Sequence, residues 1–277
     1  MSKVILCTSK EASHPFIFLN TKVEINTYEE LCFYIYNNSV LISKSSLSEK
    51  LFDWIRDELE MPELAAKLVA MCNKTTFVQD LMVEILNAGN YYEPEEIKTY
   101  VEAWQKYRRL TSSQRKKLKA DGYLGYRRYI KAASIYDDII ENSQDIQDKV
   151  FLGNVYHNRA VASANNLDTE DAKAYFLKAY ELNNNEKSLR GYLIVFAAGN
   201  DSATIRQEMR KFDLDDDSFE NLMLEIGDSN EDVREMTIFS MLQRAVYNRM
   251  NKDMIDYDKR MDIILSQLKD EFREQAI

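Results

Sequence analysis

The chain has 277 residues, 45% hydrophobic and 30% charged, with 46 acidic against 36 basic side chains and a formal net charge of −10. That length and apolar content suffice for a buried core in one large or two modest domains, and they exclude a chain that stays disordered. With only 7 Gly and 3 Pro but 17 Tyr, 12 Phe and 11 Met, long helices with few forced turns are favoured over a many-turned β architecture.

The apolar run after Met1, Val4-Ile5-Leu6, is too short for a signal peptide, and nowhere does the chain supply the roughly 18 uninterrupted apolar residues of a membrane span. Cys7, Cys32 and Cys72 are odd in number, widely spaced and never in a CxxC arrangement. That usage fits reduced thiols in a cytoplasmic protein better than a disulfide or zinc framework.

Short strand signals open the chain at Val4-Ile5-Leu6, at residues 15–19 and at the alternating Val23-Glu24-Ile25. Thr27 then stands as an N-cap before Glu29 and Glu30, and Leu31, Phe33, Tyr34 and Ile35 follow on a broad apolar helix face. After a Ser-rich connector at 39–46, helices are expected at 47–59, at 62–73 opened by Pro62, at 75–88 capped by Thr75, and from Pro94 to Leu110. Further helices are expected at 112–120, 123–141, 146–165, 169–183, 187–198, 202–211, 216–226, 230–250 and 255–274. Helices of this length joined by short polar breaks are what a stacked array requires.

One unit stands out when the chain is compared with itself at periods of 20 to 50 residues: GNVYHNRAVASANNLDTEDAKAYFLKAYELNNNE, beginning at Gly153. Tyr156, Ala160, Ala172, Phe176 and Ala179 place a large residue early in a first helix, a small residue one turn later, and an Ala, aromatic, Ala series in a second. In this it resembles a tetratricopeptide repeat. The small residues let the two helices approach, Phe176 fills the gap between them, and Ala179 admits the next pair. Arg159 stands where the family has leucine, Ser163 where it has an aromatic, and Asn184 where proline closes the repeat. Upstream, Ala132, Tyr136 and Ile139 repeat the second-helix spacing, but 40 residues rather than 34 before Ala172.

The resemblance implies a mainly α fold, with antiparallel helix pairs stacked as a short array over 91–277 behind a small N-terminal α+β portion at 1–90. It also implies a groove lined by first-helix residues, here Asn154, His157, Asn158 and Val161. Of these Asn158 is the natural contact for an extended peptide, because its amide both donates and accepts. Two further apolar stripes, Ile238, Phe239, Leu242, Ala245 and Val246, then Met261, Ile264, Leu265, Leu268 and Phe272, either close the array or leave a free face for a partner or a second copy.

Signals for catalysis are sparse. The two histidines, His14 and His157, have ordinary explanations as a loop side chain and a packed or groove position, and no glycine-rich phosphate cradle is present. Asp213, Asp215 and Asp217 begin like a calcium loop, but Ser218 replaces its glycine and Leu224 its final glutamate, so helix capping is the better account. Paired acids such as Glu29 with Glu30 and Glu95 with Glu96 fall in first helical turns, where they are expected. No cofactor and no metal is called for.

Charge, however, is uneven. Residues 106–131 carry ten cations against the single acid Asp121, a local +9 that leaves −19 for the remainder of the chain. Arg108, Arg109, Arg115, Lys116, Lys117, Lys119, Arg127 and Arg128 interleave with Tyr107, Tyr123, Tyr126 and Tyr129, a mixture suited to phosphates and stacked bases. A solvated helix face, an acidic protein partner and a nucleic acid all remain open for this stretch. Taken together, the sequence points to a non-catalytic adaptor or scaffold that binds a protein or peptide in a helical groove. Nucleic-acid or other polyanion binding through 106–131 is the alternative.

Overall fold

The computed structural model describes residues 9–74, 77–235, 237–250 and 253–276. The expected strand at Val4-Ile5-Leu6, Cys7, the cap at Thr75 and the side chain of Phe272 lie outside the described residues. Two strands, β1 (Phe16–Phe18) and β2 (Val23–Ile25), pair antiparallel with Phe16 opposite Ile25 and Phe18 opposite Val23. Their alternation sends Phe18 and Ile25 into the core.

Among the described residues the rest of the regular structure is helical. In chain order the α-helices are α1 (Tyr28–Asn38), α2 (Glu49–Asp57), α3 (Pro62–Cys72), α4 (Val78–Asn87), α5 (Pro94–Arg109), α6 (Ser112–Gly125) and α7 (Tyr129–Glu141). They continue as α8 (Lys149–Asn165), α9 (Thr169–Asn183), α10 (Glu186–Ala197), α11 (Ser202–Arg210), α12 (Asp216–Glu235), α13 (Thr237–Met250) and α14 (Met254–Ala276). Helix starts follow from local chemistry. Pro62 and Pro94 occupy first-turn positions, where no amide hydrogen is needed, and Thr27 accepts from the Glu30 amide at 3.2 Å. Thr111 and Gln114 exchange side-chain to backbone bonds of 3.2 and 2.9 Å as a capping box. Asp148, Asp168, Asn185, Asp201 and Asp215 cap the helices that follow them.

Two helix breaks fall elsewhere than the sequence suggests. The break expected near 121–122 comes after Gly125, with Arg127 left-handed at φ 56°. Helix α6 runs through Gly122, whose bare backbone Leu41 packs against, 3.0 Å from where a Cβ would be. The break expected at 227–229 is absent: α12 continues through Gly227, around which a Cβ would meet nothing, to Glu235.

The chain forms two compact units, divided between Tyr126 and Arg127 rather than near residue 90. Helices α5 and α6 thus belong with the N-terminal unit, where Ile97 and Tyr100 join the core of β1, β2 and α1–α4. That core is rich in large side chains: the Phe18 and Tyr34 rings stack at 4.1 Å, and the Tyr28 hydroxyl donates to the Ile85 carbonyl at 2.6 Å. Burial pushes the Cys32 thiol up to about 12 and the Tyr100 phenol likewise to about 12.

In the second unit, neighbouring helices pack in sequence from α7 to α14, and α14 also touches α7. Helices α8 and α9 approach most intimately. Ala160, Ala172 and Ala179 are fully buried, and Phe176 fills the space between them. Gly191 of α10 receives the edge of the same ring, 2.6 Å from where its Cβ would sit. Ala132, Tyr136 and Ile139 of α7 are buried as their spacing suggested.

Candidate functional site

The most developed polar feature of the second unit lies between α7 and α8. Arg159, on α8, donates from Nε to Oδ1 of Asp137 on α7 at 2.7 Å, and from Nη1 to Ser163 Oγ one turn along its own helix at 2.6 Å. Its guanidinium carbon stands 4.8 Å from the centroid of the Tyr175 ring of α9. Burial works against the arginine charge, and the Asp137 carboxylate more than restores it, so the guanidinium is held above its usual range. Burial also raises the Tyr175 phenol, opposed by the neighbouring Arg159.

Arg159, Asp137 and Ser163 line an open cleft of about 550 Å³, together with Tyr129, Asp138 and Glu141 from α7 and Asp168, the cap of α9. By formal charge the lining holds four carboxylates, Asp137, Asp138, Glu141 and Asp168, against the one guanidinium of Arg159. Such a surface suits a segment that brings amide or ammonium donors. The sequence reading did not single out Asp137. Its signal was present only as Arg159 and Ser163, two polar residues at adjacent turns in places otherwise apolar.

The four groove candidates lie on α8, and the structure gives them different surroundings. Asn154 accepts from the Asn183 amide at 3.1 Å; Asn183 in turn accepts the Asn185 amide hydrogen, closing the turn into α10. His157 Nδ1 is 3.0 Å from the Ser188 hydroxyl of α10, and its ring meets Phe176 edge-on at 5.4 Å. Val161 packs against the α8–α12 core. Asn158 is half-buried beside Arg159. Asn154, His157 and Val161 therefore help to hold α8 against α9 and α10, and none of the four lines the cleft.

The basic stretch is divided between the two compact units. Arg108 and Arg109 end α5, where cations favour the negative end of the helix, and Arg108 lies 5.1 Å from the Phe77 ring centroid. Arg115 reaches back to the Arg108 carbonyl at 3.4 Å. Lys117 is paired with Asp121 at 2.7 Å, and Lys116 is half-buried. Arg109 and Lys119 are exposed on the first unit; Arg127 is exposed at the start of the second. Arg128 is 4% exposed, and its Nε and Nη2 have no hydrogen-bond partner. Of the interleaved tyrosines, Tyr123 is buried and Tyr107 packs edge-on against Trp104 at 5.0 Å.

The remaining chemical candidates have local roles. His14 Nδ1 meets Glu58 at 2.8 Å, and the His14 carbonyl accepts from the Trp54 indole. Asp215 takes the Ser218 amide and hydroxyl at 2.9 and 2.7 Å, which makes it the cap of α12. Glu30 accepts the Asn26 amide hydrogen and Glu96 that of Glu93, as first-turn acids do. Among the described residues no three His, Cys, Asp or Glu side chains are placed to hold a metal ion, and no helix is long and apolar enough to cross a membrane. No protein-family model, curated protein or solved structure matches the chain.

Proposed function

We propose that the chain is a non-catalytic interaction adaptor of the tetratricopeptide-like kind, which binds a segment of a partner protein across the α7/α8 cleft. The observation that supports this is the Arg159–Asp137–Ser163 cluster. In the repeat pattern the places of Arg159 and Ser163 are apolar and serve helix stacking. Here both are polar, both are inward of an open cleft, and Arg159 is joined to the preceding helix. Removing an ion pair from water costs about as much as the attraction returns, so such a cluster is a poor way merely to hold two helices together. A polar partner segment lying along the cleft gives it a use. The acidic excess of the lining favours segments carrying lysine or arginine.

The test is a random-peptide selection against the whole chain, followed by fluorescence anisotropy with the recovered peptides. Peptides rich in Lys and Arg should be recovered. Arg159→Leu combined with Ser163→Phe, which restores the apolar pattern at both places, should weaken them at least about tenfold while the helical content is retained. Recovery of no basic peptide, or affinity untouched by that double substitution, would sink the reading. If Arg109→Glu with Lys119→Glu alone abolishes binding, and binding falls steeply with salt, the polyanion alternative takes its place.

A further inference from the structure

The α13/α14 pair shows a different imbalance. Among its described apolar side chains, Ala245 and Ile264 are the ones that are buried. Leu242, Val246 and Met250 of α13 are 40%, 47% and 78% exposed, and Met254, Leu265 and Leu268 of α14 are 47%, 43% and 46% exposed. These six share one side of their helices, whereas the exposed Tyr247, Ile255 and Ile263 lie on others. At 100° per residue, the three on α13 are turned about 60–140° from Ala245, and those on α14 about 40–100° from Ile264, in the same rotational sense. The two helices are consecutive, joined by a short connection, and pack on each other. Asn248 donates to Asp256 at 2.8 Å, and Arg249 lies 5.6 Å from the Tyr257 ring centroid, which fixes the reversal. In an antiparallel pair packed through Ala245 and Ile264, equal rotations bring both seams to one side. The result is a two-helix apolar face, with half-buried Phe239 and Met261 continuing the seams.

Size and charge say what such a face would accept. The six side chains leave on the order of 500 Å² of apolar surface, at the upper end of the roughly 300–600 Å² patch of an ordinary monomer. With their polar margins they approach the roughly 800 Å² per partner of a standard interface. Residues 237–276 hold seven basic and seven acidic side chains, so this segment is neutral in a chain of net charge −10. Two copies of a chain of net charge −10 repel one another at long range, and a face with no net charge adds nothing to that repulsion. We propose that the α13/α14 hairpin is the docking site for a second copy of this chain, the two hairpins closing a four-helix bundle about a twofold axis.

This inference is independent of the cleft. Sedimentation equilibrium of the whole chain, from sub-micromolar to high micromolar concentration, should show the mass rising from 32.4 kDa toward twice that value. Leu242→Glu with Leu265→Glu places carboxylates near their own symmetry mates and should weaken association at least about 100-fold, with helicity unchanged because both side chains are already exposed. The uncharged pair Leu242→Gln with Leu265→Gln should weaken it less, and guards against loss of fold. Leu167→Glu, at a side chain 87% exposed outside the hairpin, should leave the dimer intact. A constant 32.4 kDa across the range for the unsubstituted chain overturns the proposal. So does a dimer that survives both double substitutions.

Discussion

Helices α8–α10 and helices α13–α14 are both built on apolar residues at helical spacing, yet they use them in opposite ways. In the first group the seam consists of Ala160, Ala172 and Ala179, and the backbones come close enough for one large ring, Phe176, to be shared among α8, α9 and α10. In the second group the seams consist of Leu, Val and Met, which stay in contact with water, and among the described side chains Ala245 and Ile264 are the buried ones. Periodicity identifies an apolar face in both. What decides whether the chain covers that face itself is the size of the residues along the contact, because small side chains admit a neighbouring helix and large ones hold it off.

The largest expected effect comes from emptying the shared position. Phe176→Ala should cost about 3–4 kcal/mol in urea unfolding, since the surrounding helices collapse only partly into the space. A cost below about 1 kcal/mol would mean that α8–α10 is not the tight region described, and the comparison would fail. Next, Ala160→Leu should destabilise by about 1–3 kcal/mol through overpacking.

Tyr192 sharpens the contrast on the polar side. Its phenol is raised above the ordinary range by burial and by its 2.8 Å bond to Glu208. The protonated phenol is the form that the fold favours, so its contribution is complete below the unfolded value near 10 and is lost as pH rises from there through the folded value. Tyr192→Phe should cost about 1 kcal/mol at neutral pH and remove that part of the alkaline loss, measured as unfolding midpoints against pH. An alkaline limb identical in both proteins would contradict the assignment. The smallest effect is expected on the exposed seams: Leu242→Gln should change the stability of the monomer by less than about 0.5 kcal/mol. A loss several times larger would show that Leu242 is covered within its own chain.

Much of this architecture is legible in the sequence, for reasons that differ from place to place. Pro62 and Pro94 mark helix starts because a first-turn residue needs no amide hydrogen, and Ala132, Tyr136, Ala172 and Phe176 mark buried faces by spacing alone. That α6 runs on through Gly122 and α12 through Gly227 was not legible, because glycine is only a weak helix breaker and its position alone does not say whether a helix ends there.

The candidate site divides in the same way. Arg159 and Ser163 show in the sequence as departures from a pattern, whereas Asp137 becomes their partner only once α7 lies against α8. Conversely, a linear count of charge over 106–131 cannot reveal that Arg128 is buried, that Lys117 is neutralised by Asp121 one turn on, or that the stretch crosses the boundary between two compact units. His157 and Asn154 were placed on the right helix, but their side chains are engaged with Ser188 and Asn183. The register locates a residue on a helix; the neighbouring helices determine what its side chain is available to do.

The central claim, that the α7/α8 cleft is where a partner segment is held, is tested most directly by amide hydrogen exchange of the whole chain with and without a recovered basic peptide. The account predicts added protection in residues 129–141 and 149–166, abolished by Arg159→Leu with Ser163→Phe. Protection confined to residues 106–119, with none in α7 or α8, would contradict it.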